Sequence, residues 1–125
     1  MILKIDMSSD IPIYQQIRNQ IVFGVAKGEL KNGDSLPTVR QLASDIGVNP
    51  MTVNKAYSIL KNEGTIIIDR RHGAQISSQL IDTTKFDSDF DQRAVLLISE
   101  ASTRGATKDE LAQHIGQLID IVYQK

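Results

Sequence analysis

Apolar residues recur every three or four positions through most of the first sixty residues, the period of helices that bury one face. Ile13, Ile17, Ile21 and Val25 make the first stripe, opened by Pro12 and closed by Gly28. Proline suits a first helical turn and glycine a helix stop. Residues 29–37 follow as a loop, with Asn32-Gly33-Asp34 as turn material. A second helix starts at Thr38, where Thr38-x-x-Gln41 fits a capping box, and Val39, Leu42, Ala43 and Ile46 form its stripe up to Gly47. A third starts two residues later, with Asn49 as N-cap and Pro50 at the first helical position. Val53, Ala56, Tyr57 and Leu60 are its inward face, and Gly64 ends it.

The period then changes. Residues 65–69 and 74–77 are two β-capable runs around the basic turn Arg70-Arg71-His72-Gly73. Two short helices joined by a tight glycine turn make a helix-turn-helix, and the hairpin behind it reads as a wing. Residues 77–91 are rich in Ser, Thr and Asp without a steady apolar period, and read as a linker. Helical spacing resumes at Phe90, Ala94, Leu97, Ile98 and Ala101 up to Gly105. A second capping box, Thr107-x-x-Glu110, opens a last helix with Leu111, Ile115, Leu118, Ile119 and Val122. The expected fold is mainly α with a small β-wing: a winged helix-turn-helix over residues 1–78, then a linker and a two-helix dimerisation domain over 79–125. Val95-Leu96-Leu97-Ile98 is apolar all round, so its helix is expected to pack on two sides, one of them against a second subunit. The dimer surface is assigned to these four residues with Leu111, Ile115, Leu118, Ile119 and Val122.

Composition narrows the function. The 125 residues include no cysteine and two histidines, which excludes a disulfide scaffold, thiolate zinc sites and cysteine catalysis. No cofactor or metal is expected. Asp87, Asp89 and Asp91 have the spacing of a calcium loop but lack its later glycine and closing glutamate, so a solvated linker is the expectation. No apolar run approaches the 20 or so residues of a membrane span, and Asp6 interrupts the apolar start too early for a signal peptide, so a cytoplasmic protein is expected. No Ser-His-Asp grouping, phosphate loop or paired acid points to an enzyme. The net charge of −1 is not that of a bulk nucleic-acid binder, but it is uneven: +2 over residues 1–78 (nine basic, seven acidic) and −3 over 79–125 (five basic, eight acidic). DNA binding here requires a local basic patch.

The helix-turn-helix supplies one. Such a motif lays the start of its second helix in the major groove. With Val53 turned to the core, Met51, Thr52, Asn54 and Lys55 are free to face DNA. Asparagine can pair with adenine, a methyl group can touch thymine, and Thr52 and Lys55 suit phosphate. Arg40 lies opposite the apolar stripe of the preceding helix. Arg70, Arg71 and His72 cluster at the wing tip, where Gly73 supplies the turn.

These residues also carry a resemblance. Leu36-Pro37-Thr38-Val39-Arg40-Gln41-Leu42-Ala43, then Gly47-Val48-Asn49-Pro50-Met51-Thr52-Val53-Asn54-Lys55-Ala56-Tyr57, Leu60 and Glu63-Gly64 resemble the winged helix of the GntR family of bacterial transcription regulators. Pro12-Ile13-Tyr14-Gln15-Gln16-Ile17 and Gly28-Glu29-Leu30 extend the likeness to about residues 10–78. The short two-helix tail resembles the YtrA-like subgroup, which implies a small dimeric repressor, often of a transporter operon. The resemblance implies DNA contacts at Arg40, Asn49, Thr52, His72 and Gly73, and Thr38 of the Leu-Pro-Thr motif is counted with them. Pro50 and Asn54 stand where many members carry arginine, and Gly73-Ala74-Gln75 departs from the usual Gly-x-Gly-Thr.

Two function classes follow: a sequence-specific regulator, homodimeric on an inverted-repeat operator with an unnamed effector, or a winged-helix module for protein or RNA. They separate on one measurement. For a regulator, duplex binding falls steeply with salt and Arg40→Ala abolishes it; an Arg40→Ala chain that binds duplex like the wild type excludes that role for Arg40.

Overall fold

The stripe over residues 12–28 folds as α1 (Ile13–Ala26), with Ile17 and Ile21 completely buried and Ile13 and Val25 partly so. The computed structural model describes residues 3–77 and 85–123. At the end of α1 the chain doubles back, and the Glu29 and Leu30 N–H groups both donate to the Gly24 carbonyl. A Cβ at Gly24 would lie 3.0 Å from a terminal methyl of Leu30, so a larger residue here requires that side chain to give by a few tenths of an ångström.

The second and third helices start where their caps dictate. α2 (Val39–Ile46) opens on the complete Thr38–Gln41 capping box. It closes on Gly47, whose φ of +70° is the left-handed conformation that glycine adopts without penalty. α3 (Pro50–Asn62) follows with Asn49 accepting the Met51 N–H. Its Val53, Ala56, Tyr57 and Leu60 are buried against α1 and α2. Each fully buried aliphatic side chain contributes about 1.5–3 kcal/mol. β1 (Ile66–Asp69) and β2 (Gly73–Ile76) pair antiparallel, Ile66 opposite Ile76 and Asp69 opposite Gly73. Ile66, Ala74 and Ile76 close the core, while Ile67 and Ile68 remain about half exposed.

Two features depart from the expected pattern. Residues 29–37 are not wholly loop: Gly33 and Leu36 donate to the Ile76 and Ala74 carbonyls, Ile76 donates to Asp34, and Ser35 bridges Gln75. A short extended segment thus covers the free side of β2. Its four residues are too few to show an alternating pattern. The second departure is at the start of the chain, where no element is expected. Leu3 and Ile5 pack on the core, held by two glutamines one turn apart on α1. The Gln20 carboxamide accepts from the Lys4 N–H and donates to the Lys4 carbonyl (2.9 and 2.6 Å). Gln16, 8% exposed, accepts from the Asp6 N–H and donates to the Asp6 and Ile11 carbonyls, all at 2.9 Å. Side-chain amides here do what a neighbouring strand does in a sheet.

The chain divides into two compact units, Met1–Leu80 and Ile81–Lys125. The described part of the second is α4 (Ser88–Thr103) and α5 (Lys108–Tyr123). The reading of 77–91 as linker needs correction: residues 78–84 lie outside the described residues, but helix begins at Ser88, not Phe90. The Asp87 carboxylate caps the Phe90 N–H at 2.8 Å, and Asp89 and Asp91 sit in the first turn, where negative charge favours the helix dipole. α4 ends in a turn at Gly105 (φ +91°), and the Thr107–Glu110 box starts α5 as expected. No residue of either helix is buried; Val95, Leu96, Leu97 and Ile98 are 48–64% exposed. The observed class is mainly helical with one small two-stranded sheet.

Gln16→Ala removes three hydrogen bonds and strands the Asp6 N–H and the Ile11 carbonyl, while the Asp6 carbonyl keeps the Ser9 N–H. Because Asp6 and Ile11 are exposed, water recovers part of the loss, and a destabilisation of about 1 kcal/mol is expected. Amide exchange at Asp6 should accelerate ahead of exchange at Ile17; equal protection of both in the variant refutes the clamp.

Candidate nucleic-acid interface

Burying Val53, Ala56, Tyr57 and Leu60 turns the opposite face of α3 outward. Met51 is 78% exposed, Asn54 and Lys55 are exposed, and Thr52 is partly buried. Arg40 stands exposed in the first turn of α2, and Arg70, Arg71 and His72 at the turn between β1 and β2.

Several of these side chains also serve the fold. The Thr38 hydroxyl accepts the Gln41 N–H at 3.1 Å and Asn49 Oδ1 accepts the Met51 N–H at 2.8 Å. Each keeps donors in hand, the hydroxyl hydrogen of Thr38 and the Nδ2 hydrogens of Asn49, and donors are what phosphate oxygens require. The Asp69 carboxylate organises the wing tip by accepting from the Arg71 N–H at 2.8 Å and meeting His72 Nδ1 at 3.0 Å. The His72 contact, followed by the backbone bonds, holds Asp69 below the usual carboxylate range. Gly73, at φ +70°, completes the turn.

The cations differ in their partners. Arg18 is paired through two contacts with Glu63, Nε–Oε1 at 2.9 Å and Nη2–Oε2 at 2.5 Å, which raises its pKa. The guanidinium groups of Arg40, Arg70 and Arg71 have no partner among the described residues. Lys55 has no carboxylate partner either; its Nζ lies 4.0 Å above the Tyr14 ring. So the exposed end of α3, the start of α2 and the wing tip present cations that no carboxylate among the described residues holds in an ion pair, with Asp69 the one acid at the wing tip.

Three contributors escaped the sequence reading. Tyr57 is expected on the inward face of the third helix and Asp69 at the end of a β-capable run, while Tyr14 stands only in the motif that extends the family likeness. Tyr57 is buried as expected, but its hydroxyl donates to the Pro37 carbonyl at 2.7 Å, tying α3 to the segment before α2. Burial pushes its pKa up to about 12. Tyr123 is 76% exposed and is no part of a core. The only advance signal was Tyr57 on a stripe position, which periodicity equates with packing; Tyr14 and Asp69 carried none. In the second unit, a solvent-open cleft of about 430 Å³ beside Gly105 is lined by Arg104, Glu110 and His114 among others. Among the described residues no acidic or histidine cluster could hold a metal, and no helix is long and apolar enough to cross a membrane.

This is a winged helix-turn-helix with a helical appendage, the architecture of a DNA-binding regulator. Residues 13–76 match the family described as bacterial regulatory proteins, gntR family, and the chain belongs to the GntR family of transcription regulators. It is 48% identical over 75 residues to the HTH-type transcriptional repressor YtrA of Bacillus subtilis (strain 168), an overlap of 60% of this chain and 58% of that protein's length. The structure of YtrA from Sulfolobus acidocaldarius, a GntR-family transcription factor, is 41% identical with a TM-score of 0.65, over 82% of this chain and 99% of that one. A transcriptional antiterminator from Listeria monocytogenes EGD-e is 29% identical with a TM-score of 0.86, over 100% of this chain and 95% of that one.

The Tyr57 phenol gives a pH signature. Its proton is held more tightly folded than unfolded, so it contributes stability that is complete below pH 10 and lost as pH rises from 10 to about 12. Tyr57→Phe should flatten stability across that window, in denaturant titrations at successive pH values, and cost about 1 kcal/mol at neutral pH through the lost Pro37 bond. A variant with the wild-type alkaline slope would assign that slope to another group.

Proposed function

We propose that this chain is a cytoplasmic repressor that binds an inverted-repeat operator as a homodimer. The observation that carries the reading is the placement of Arg40, Lys55, Arg70 and Arg71, exposed and without a carboxylate partner among the described residues, on the helix-turn-helix and wing of a chain whose net charge is −1. Charge left unpaired on the two helices and the wing of such a motif suits a polyanion better than it suits stability. In this reading residues 1–78 bind the duplex. Thr38, Asn49, Thr52 and Lys55 meet phosphates, Arg40, Met51 and Asn54 approach base edges in the major groove, and Arg70, Arg71, His72 and Gly73 grip the duplex beside it. Repression is supported by the likeness to the B. subtilis repressor, and the resemblance to that subgroup points to a transporter operon.

Residues 79–125 join two copies. Val95, Leu96, Leu97, Ile98, Leu111, Ile115, Leu118, Ile119 and Val122 include apolar side chains 40–64% exposed in the single chain, a surface that a second subunit would cover. A two-fold protein reads two-fold sites whose halves lie about one helical turn apart. An effector, where one acts, would bind between subunits or beside the second unit.

The test is selection of genomic fragments by the purified protein near physiological salt, read by sequencing. An enriched inverted repeat is expected, together with loss of enrichment and a monomeric sedimentation profile for a chain ending at residue 78. Enrichment of a motif without two-fold symmetry, or a truncated chain that still sediments as a dimer, overturns the dimeric reading.

A further inference from the structure

The seam between α1 and α3 carries two cations, and the fold treats them oppositely. Toward the C-terminal end of α3, Glu63 takes Arg18 in a two-contact ion pair that neutralises it. Toward the N-terminal end, four residues before Arg18 on α1 and eight before Glu63 on α3, Lys55 meets a neutral aromatic ring instead. Its ammonium is 4.0 Å from the centroid of Tyr14, well inside the range of about 6 Å over which a ring face attracts a cation. A carboxylate there would fix the lysine and cancel its charge; a ring fixes it and leaves the charge and outward N–H donors available. The ring is itself well placed to serve as an anchor. Tyr14 is half-buried one turn before Ile17, and Ile17, Ile21, Val53 and Leu60 are completely buried, so α1 cannot shift against α3 without opening the core.

We propose that Tyr14 is a positioning residue for DNA binding: its ring face holds the Lys55 ammonium, uncompensated, where a backbone phosphate is to be met. This rests on the reading that α3 docks on DNA with Lys55 against phosphate. An exposed lysine has a flexible four-carbon stem, and ordering it on contact is a cost of binding. The ring meets that cost in the free protein. The effect is independent of base sequence, because phosphate contacts are.

The test uses the full chain and the duplex recovered by fragment selection, with affinity measured across a salt series for wild type, Tyr14→Phe, Tyr14→Leu, Lys55→Ala and Tyr14→Leu/Lys55→Ala. Tyr14→Phe, which keeps the ring, should bind like the wild type. Tyr14→Leu should weaken binding about 2- to 5-fold, the worth of an exposed cation–π contact, on matched and mismatched duplexes alike. In the Lys55→Ala background the same substitution should have no further effect. A loss in Tyr14→Phe equal to that in Tyr14→Leu would make the hydroxyl a direct contact and overturn the proposal. So would an undiminished effect of Tyr14→Leu in the absence of Lys55, or wild-type affinity in Tyr14→Leu alone. A Lys55→Ala chain with the wild-type salt slope overturns instead the parent reading that Lys55 meets phosphate. A measurement on the free protein guards against misfolding of the leucine variant: ring-current shifts at the Lys55 ε-methylene are expected in wild type and Tyr14→Phe, and their absence refutes the placement.

Discussion

Seating α3 on α1 is the constraint from which the rest of the first unit follows. Ile17 and Ile21 on one side and Val53 and Leu60 on the other are fully excluded from solvent. α2 and β1 pack on the same helix. Because a helix turns once in 3.6 residues, fixing Val53, Ala56, Tyr57 and Leu60 inward leaves no choice about what faces out. Met51, Asn54 and Lys55 are presented by the same burial that stabilises the domain. The proposed interface and the core are two faces of one element, and the orientation of the first is as rigid as the packing of the second.

The charges follow a comparable division. A chain with near-balanced acids and bases can bind a polyanion only if some of its cations are gathered on one surface and are not tied up by carboxylates. Arg18 and Arg93 are given carboxylates, by Glu63 and Asp89. Arg40, Arg70 and Arg71 are given none among the described residues. The acid at the wing tip, Asp69, gives its oxygens to the Arg71 backbone and the His72 ring, so neither neighbouring guanidinium is tied to it, although its charge offsets part of theirs.

What could be read in advance was whatever depends on near neighbours. The Thr38 and Thr107 capping boxes, the Asn49-Pro50 start, the helix-turn-helix and the wing were legible because each is specified within four or five residues. The start of α4 was equally local. There the acids at 87, 89 and 91 were read as solvation, although an Asp three residues before Phe90 is also a cap. Beyond reach were contacts between distant segments. Gln16 and Gln20 look like ordinary polar positions of an amphipathic helix until the chain start is laid beside them. Residues 33–36 become strand-like only because β2 is there to pair with. Tyr14 and Lys55 are 41 positions apart, and no periodicity links them.

The double employment of the caps bears on how such a protein can change. Thr38 and Asn49 hold helix starts together with the same side chains that the proposed interface would use, so in that reading an altered residue there disturbs folding and recognition at once. Met51 and Asn54 have no such commitment; they point outward and hold nothing in place. Evolution of a new binding preference, or its redesign in the laboratory, therefore has two positions where it can explore at little risk to the scaffold, set beside others where novelty must first be compatible with having a helix at all.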